Sequence, residues 1–329
     1  MKIAVLGGGA WGTGISIHLA RRHDVALWVR DAVRCWAMAS SGTNQHYLPG
    51  FSIPAGVRLS HDVAPAVAGC ELVLVAVSTA GLRPTLCRLR EAGCGAPIVW
   101  LCKGFERERG KLPHEVCAEE IDATVARGVL SGPTFAEEVA RGLPTAITLA
   151  TTDSALAQSL GVELHSPTLR VYTSDDVVGV EVAGALKNVM AIAAGICDGL
   201  ALGLNARAAL MTRGLAEMTR LGVRLGGRVE TFMGLAGLGD LILTCTGDLS
   251  RNRRVGLALG RGAALDGILA ELGHVAEGVH TTGEVMRIAH GLAVDMPITR
   301  AVHAVLFDGI APSAAVAGLL EREPRAELG

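Results

Sequence analysis

Aromatic residues make up only 3% of this 329-residue chain: four Trp, two Tyr and five Phe. A core must therefore be built from closely packed aliphatic side chains, and the 42 glycines supply tight turns and close approaches. Net charge is nearly absent, since 30 Lys and Arg stand against 32 Asp and Glu and leave −2. That balance excludes a strongly basic nucleic-acid binder, although not a local basic pocket. The eight cysteines contain no CxxC pair and the ten histidines no HExxH. Neither a disulfide framework nor a metal site is expected, and such cysteine usage fits a reducing cytoplasm.

Long uncharged runs are also lacking. Mean hydropathy is +0.40, yet the longest stretch free of Asp, Glu, Lys and Arg, residues 35–57, carries Asn44, Gln45, His46, Pro49 and Pro54. It cannot supply the roughly 20 apolar residues of a membrane span. The opening MKIAVLGGG reads directly as a strand and leaves no room for a signal peptide. Half the residues are hydrophobic and 19% are charged, which excludes disorder. At about 150 residues per domain, a soluble cytoplasmic protein of two domains is expected.

The first half alternates apolar runs with helical patterns. Residues 3–6, 25–29, 72–77 and 98–101 read as strands, with further candidates at 128–130, 146–150 and 170–173. They are almost continuously apolar, as in a parallel sheet covered on both faces. A helix over 13–22 between the first two completes a βαβ unit. After about Asp176, helical patterns take over at 181–197, 206–225, 253–261, 265–272, 282–290 and 298–306. The predicted organisation is a Rossmann-like, doubly wound α/β domain over 1–180, an all-α domain over 181–322 and a charged tail over 323–329.

Gly7, Gly9 and Gly12 form G-x-G-x-x-G between the first strand and its helix. In that context the glycines allow the tight turn, the approach of a pyrophosphate and close helix–strand packing. At the end of the second strand, 18 residues after Gly12, Arg30 precedes Asp31. An acid there suits ribose hydroxyls and an Arg suits a ribose phosphate, so NADPH is favoured, with NADH accepted.

Among the sixteen residues 182–197, Lys187 carries the only charge. Such a lysine either snorkels or is kept for a task, and desolvation would lower its pKa towards neutrality. Asn188 beside it could orient a substrate oxygen. Asp240 is the single acid of GLAGLGDL, and Ser250-Arg251-Asn252-Arg253-Arg254 opens a helix with positive charge and free N–H groups, which suits a phosphate. At least one of Arg253 and Arg254 is expected to be simply solvated. Lys103, directly after a strand, and the SGPTFA segment from Ser131 lie where doubly wound sheets bind ligands.

The blocks GGGAWGT, NQHYLPG, CKGFE, SGPTFAEEVARGLPTAI, GALKNVMAI, NARAALMTRGLAEM, TFMGLAGLGDLILTCTGDLSRNRRVG and VAEGVHTT follow in that order. Together they resemble the bacterial NAD(P)-dependent glycerol-3-phosphate dehydrogenases over nearly the whole chain. The resemblance implies the two-domain architecture of 6-phosphogluconate-dehydrogenase-like proteins. It also implies reversible reduction of dihydroxyacetone phosphate to sn-glycerol 3-phosphate, feeding phospholipid synthesis. By the same resemblance, Lys187 is the catalytic lysine, and Lys103, Gly132, Thr134, Asp240, Ser250, Arg251 and Asn252 contact substrate. Gly7, Gly9, Trp11, Gly12, Arg30, Tyr47, Lys103, Ala136, Arg251, Val275 and Glu277 contact the cofactor. The residues alone leave open a related dehydrogenase acting on another keto substrate, or a non-catalytic nicotinamide sensor. The apolar helical half is compatible with a homodimer without requiring one.

Overall fold

The computed structural model describes residues 1–272 and 276–321. The expected tail over 323–329 lies outside the described residues, as does Val275.

Ten strands and sixteen α-helices are described. The strands are β1 (Lys2–Leu6), β2 (Asp24–Trp28), β3 (Thr43–Asn44), β4 (Leu48–Ser52), β5 (Val57–Ser60), β6 (Leu72–Val75), β7 (Ile98–Trp100), β8 (Arg127–Ser131), β9 (Thr145–Ala150) and β10 (Leu169–Ser174). Eight form one sheet in the order β10-β9-β8-β7-β6-β1-β2-β5, while β3 and β4 make a separate hairpin. Between and after the strands run α1 (Ala10–Leu19), α2 (Ala32–Ser41), α3 (Val63–Val67), α4 (Thr79–Glu91), α5 (Pro113–Glu120), α6 (Ala136–Arg141) and α7 (Ser154–Glu163). Along β1 the side chains alternate between two buried layers, Ile3 and Val5 in one, Ala4 and Leu6 in the other. That is why the strand reads as continuously apolar.

Strand β1 pairs parallel with β2 and β6, and β8 closes the parallel run through β7. The carboxyl ends of six strands thus share one edge. The expected parallel, doubly wound sheet is present, with one local departure: β8 and β9 pair antiparallel. A parallel return needs a helix long enough to recross the sheet. The six residues of α6 rise only about 9 Å, so the chain re-enters from the edge it left. Strands β3 to β5 have no counterpart in the expected pattern, because LPGFS in β4 carries Pro and Gly instead of a period.

The second half is helical: α8 (Val177–Gly199), α9 (Gly203–Arg224), α10 (Val229–Met233), a π-helical turn (Leu235–Gly239), α11 (Asp240–Thr246), α12 (Arg251–Gly260), α13 (Leu265–Leu272), α14 (Glu277–Gly291), α15 (Pro297–Phe307) and α16 (Pro312–Leu320). Helix α8 is buried on every face from Gly179 to Cys197 and forms the axis of the domain. It is long and apolar enough to cross a membrane by length and composition, but 89% of that window is covered by protein. Its Asp176 cap accepts from Gly179 N at 2.8 Å, Arg228 N at 2.9 Å and Thr231 Oγ1 at 2.5 Å, which moves the start four residues ahead of the expected 181. Helix α12 crosses α8 at backbone contact. A Cβ at Gly195 would overlap the Arg253 carbonyl, and one at Gly256 would overlap that of Ile192.

Candidate active site

The glycine loop forms the floor of the carboxyl edge. Gly7 sits at φ +133 and donates its N–H to Trp28 O at 3.0 Å. A Cβ at Gly7 would strike Ala76 O, and one at Gly12 would overlap Gly7 O, so both positions require glycine for close approach. Above Gly9 the space is open: a Cβ there meets nothing within 4 Å. Gly9 caps α1 without a side chain, so the first amides of the helix face that space beside half-buried Trp11. An open cradle backed by a helix N-terminus fits a dinucleotide pyrophosphate. Helix α1 begins at Ala10, three residues earlier than expected, because Gly12 and Gly14 lie inside it and permit contact with Gly7 and Ala136.

Asn44 supports the loop from the β3–β4 hairpin, donating to Gly8 O at 2.9 Å and to Thr13 Oγ1 at 2.8 Å. Tyr47 accepts from Arg34 Nη1 at 2.8 Å, with that guanidinium 4.8 Å from its ring centroid. At the end of β2, Asp31 caps α2 by accepting from Arg34 N at 2.9 Å. Arg30 is exposed and lines a cavity of about 670 Å³ with Trp28, His61 and Arg88.

The chemically distinctive cluster lies between the two halves. Lys187, 6% exposed, donates through Nζ to Asp240 Oδ1, and Lys103 Nζ donates to Asp240 Oδ2 at 2.7 Å. Asp240 is wholly buried, and Thr244 Oγ1 adds a bond to Oδ1 at 3.2 Å. The π-helical turn before α11 presents Asp240 to both lysines, so the Gly-rich GLAGLGDL segment is helical from Leu235 onward. Burial pulls the Lys187 ammonium from 10.5 down to about 7. The Asp240 carboxylate opposes that shift and the Lys103 charge adds to it. A carboxylate with two lysines holds a group able to give or take a proton near neutrality.

The neighbouring segments close around this cluster. Gly132, at φ +149, offers its carbonyl to Lys103 Nζ and to Thr134 Oγ1, each at 3.3 Å. Ala136 begins α6 against Gly14 of α1. Glu277 at the start of α14 is raised by burial and drawn back by Arg251, Lys103 and Lys187, which places these four charges in one field. Ser250 caps α12 by accepting from Arg253 N at 3.3 Å. Asn252 is buried, donating to Asn188 Oδ1 at 2.9 Å and accepting from Gly278 N at 3.0 Å. Arg251 and Arg254 are exposed, whereas Arg253 pairs with Asp198 and Asp248, both at 2.8 Å. The solvated reading thus fits Arg254, and Arg253 is an internal anchor.

Gly132, Lys103, Asp240 and Lys187 are therefore linked in one hydrogen-bonded chain. Glu277 and Arg251 lie within its electrostatic reach, and Asn252 is tied to Asn188 beside Lys187, while Ser250 makes its contact as a cap to Arg253. Arg30 and Tyr47 stand apart, on the β2–α2 side. Among the described residues no group of three or more His, Cys, Asp or Glu is arranged to hold a metal. Two supports went unread in the sequence, Asn44 and Arg34. Asn44 lies in the NQHYLPG block, but neither residue has a spacing that reveals its partner.

The N-terminal region described as NAD-dependent glycerol-3-phosphate dehydrogenase matches residues 2–157, and the corresponding C-terminal region matches 176–317. The chain belongs to this family. It is 58% identical over 328 residues to the glycerol-3-phosphate dehydrogenase (NAD(P)+) of Thiobacillus denitrificans, and 56% identical over 328 residues to that of Dechloromonas aromatica. Each match covers 100% of both chains. The crystal structure of glycerol-3-phosphate dehydrogenase from Coxiella burnetii superposes with a TM-score of 0.94 at 42% identity, covering 98% of this chain and 99% of that one. Within this family the glycine cradle fits the expected NAD(P) cofactor.

Proposed function

We propose that this chain catalyses the reversible NAD(P)H-dependent reduction of dihydroxyacetone phosphate to sn-glycerol 3-phosphate. The observation that carries the reading is Lys187, buried and tuned towards neutrality against Asp240, which also holds Lys103 at the carboxyl edge of the sheet where the glycine cradle lies. Gly7, Gly9, Trp11 and Gly12 would hold the cofactor, with Arg30, Tyr47, Lys103, Ala136, Arg251, Val275 and Glu277. The bound nicotinamide supplies the hydride.

In reduction the Lys187 ammonium gives its proton to the carbonyl oxygen as negative charge develops there, and in oxidation neutral Lys187 takes it back. Asp240 holds Lys187 in place. Lys103 adds positive charge beside the same oxygen, and Gly132 and Thr134 shape the adjoining wall. Arg251 at the open N-terminus of α12, with Ser250 and Asn252 fixing that turn, would grip the phosphate and orient the reacting carbon.

Arg30 favours NADPH, because Asp31 spends a carboxylate oxygen on capping α2. Residues 1–180 would form the cofactor domain and 181–322 the substrate domain, which the family boundaries at 157 and 176 support. The eight free cysteines fit work in a reducing cytoplasm, where the product would supply glycerophospholipid synthesis. A homodimer is the assembly to look for by light scattering.

The test follows NADPH and then NADH oxidation optically with dihydroxyacetone phosphate, using unphosphorylated dihydroxyacetone as control. Turnover that depends on the phosphate is expected, with Arg30→Ala shifting the cofactor ratio towards NADH. Equal turnover of the two ketones would overturn the substrate assignment.

A further inference from the structure

At the amino edge of the sheet, opposite the site, two cysteines far apart in sequence come together. Cys70 ends the turn from α3 into β6, and Cys94 lies in the turn from α4 towards β7. Because β6 and β7 are paired neighbours, those turns lie side by side. The two Sγ atoms are 3.9 Å apart and both residues are half-buried. Cys35, Cys102, Cys117, Cys197 and Cys245 are buried, and half-buried Cys87 is bonded to Glu120 at 3.3 Å.

We propose that Cys70 and Cys94 form an oxidation site that closes to a reversible disulfide when the protein meets a hydroperoxide. A disulfide needs its sulfurs about 2.05 Å apart, so side-chain rotation must shorten the gap by roughly half. The flanking backbone can yield. Gly69 and Gly93 sit at φ +66 and +64, and a Cβ at Gly69, Gly93 or Gly95 would meet nothing within 4 Å. The hydrogen bond between the sulfurs favours a thiolate on one of them, pulling the Cys94 thiol down to about 6 and pushing Cys70 up.

The Cys94 thiolate attacks the peroxide, the O–O bond breaks, and Cys94 becomes a sulfenic acid as the alcohol departs with a proton. The Cys70 sulfur then attacks the sulfenic sulfur. Its own proton leaves with the hydroxyl as water, and the S–S bond forms. Two thiols and one hydroperoxide give one disulfide, one alcohol and one water. The cross-link would tie together the turns entering β6 and β7, while Lys103 lies beyond the carboxyl end of β7. Activity should therefore survive oxidation, and resistance to unfolding should rise.

The experiment treats the full chain with limiting cumene hydroperoxide, alkylates the remaining thiols and maps peptides by mass spectrometry. A single Cys70–Cys94 linked peptide is expected, reversed by dithiothreitol and accompanied by a raised Tm with kcat unchanged. Cys70→Ser should halt the reaction at a Cys94 sulfenic acid that dimedone traps, and Cys94→Ser should leave Cys70 reduced. Scattered pairings, no linked peptide in the folded protein, or a Cys94 that oxidises no faster than Cys87 in Cys70→Ser would overturn the proposal.

Discussion

Helix α8 carries two clusters of the same formula, one carboxylate between two cations, with opposite characters. Towards its middle, Lys187 shares Asp240 with Lys103. At its end, Asp198 accepts from Arg207 Nη1 at 3.1 Å and from Arg253 Nη2 at 2.8 Å. The Asp240 side chain is 0% exposed, whereas that of Asp198 is 15% exposed and Arg253 has a second partner in Asp248. Guanidinium groups stay charged at any working pH and grip carboxylates as rigid forks, so the second cluster anchors α9 and α12 to α8. An ammonium shifts readily when buried, and the first cluster holds a proton that burial has loosened. Cation type and depth separate a cluster able to exchange a proton near neutrality from a structural clamp.

The strongest way to break that contrast is Lys187→Ala. Turnover should fall by about 10²–10⁴-fold, the scale of a general acid–base, while cofactor binding followed by fluorescence persists. Near-normal turnover would remove Lys187 from the reaction. Next in size is Asp240→Asn, which strands the buried Lys187 ammonium and the half-buried one of Lys103 and should cost about 3–5 kcal/mol of stability as well as most activity. The same exchange at Asp198 should cost only about 1–3 kcal/mol, the loss of charged hydrogen bonds, and leave kcat intact. Denaturant midpoints and kinetics measured side by side decide the comparison, and equal losses in kcat would erase it.

Two pH experiments sharpen it further. Lys187 has a folded pKa of about 7 against 10.5 unfolded, so its contribution to stability is present above 10.5 and is lost as pH falls through 7. Wild-type stability should therefore rise between those values through this group, and Lys187→Met should flatten that slope. A slope of the same size in the variant would place it elsewhere. The smallest effect belongs to Lys103→Met. Removing the like charge raises the Lys187 pKa, so the alkaline loss of reductive kcat should move to higher pH, alongside a raised KM.

The strand-by-strand character of the first half was legible because burial on both faces writes itself as unbroken apolar runs, as in LVLV of β6. Lys187 was legible because a charge within an apolar helix has no cheap explanation. Asn44 was not, since a bond to Gly8 O across 36 residues leaves no periodic trace. Nor was the antiparallel turn of β9, which depends on α6 being too short to recross the sheet. The part Asp31 plays in capping α2 was likewise hidden, because an acid at a strand end reads equally as a cap or as a ribose ligand.

By itself the sequence determined the strands of the main sheet other than β5, the change to helices after them, the glycine cradle and the lysine set in an apolar helix, since each rests on local pattern or on the cost of desolvating a charge. Only the tertiary structure decided that Asp240 serves two lysines, that Arg253 is a clamp while Arg251 faces outward, and that Cys70 meets Cys94. Those pairings join residues that no local periodicity relates, and packing alone selects which of the possible partners come within reach.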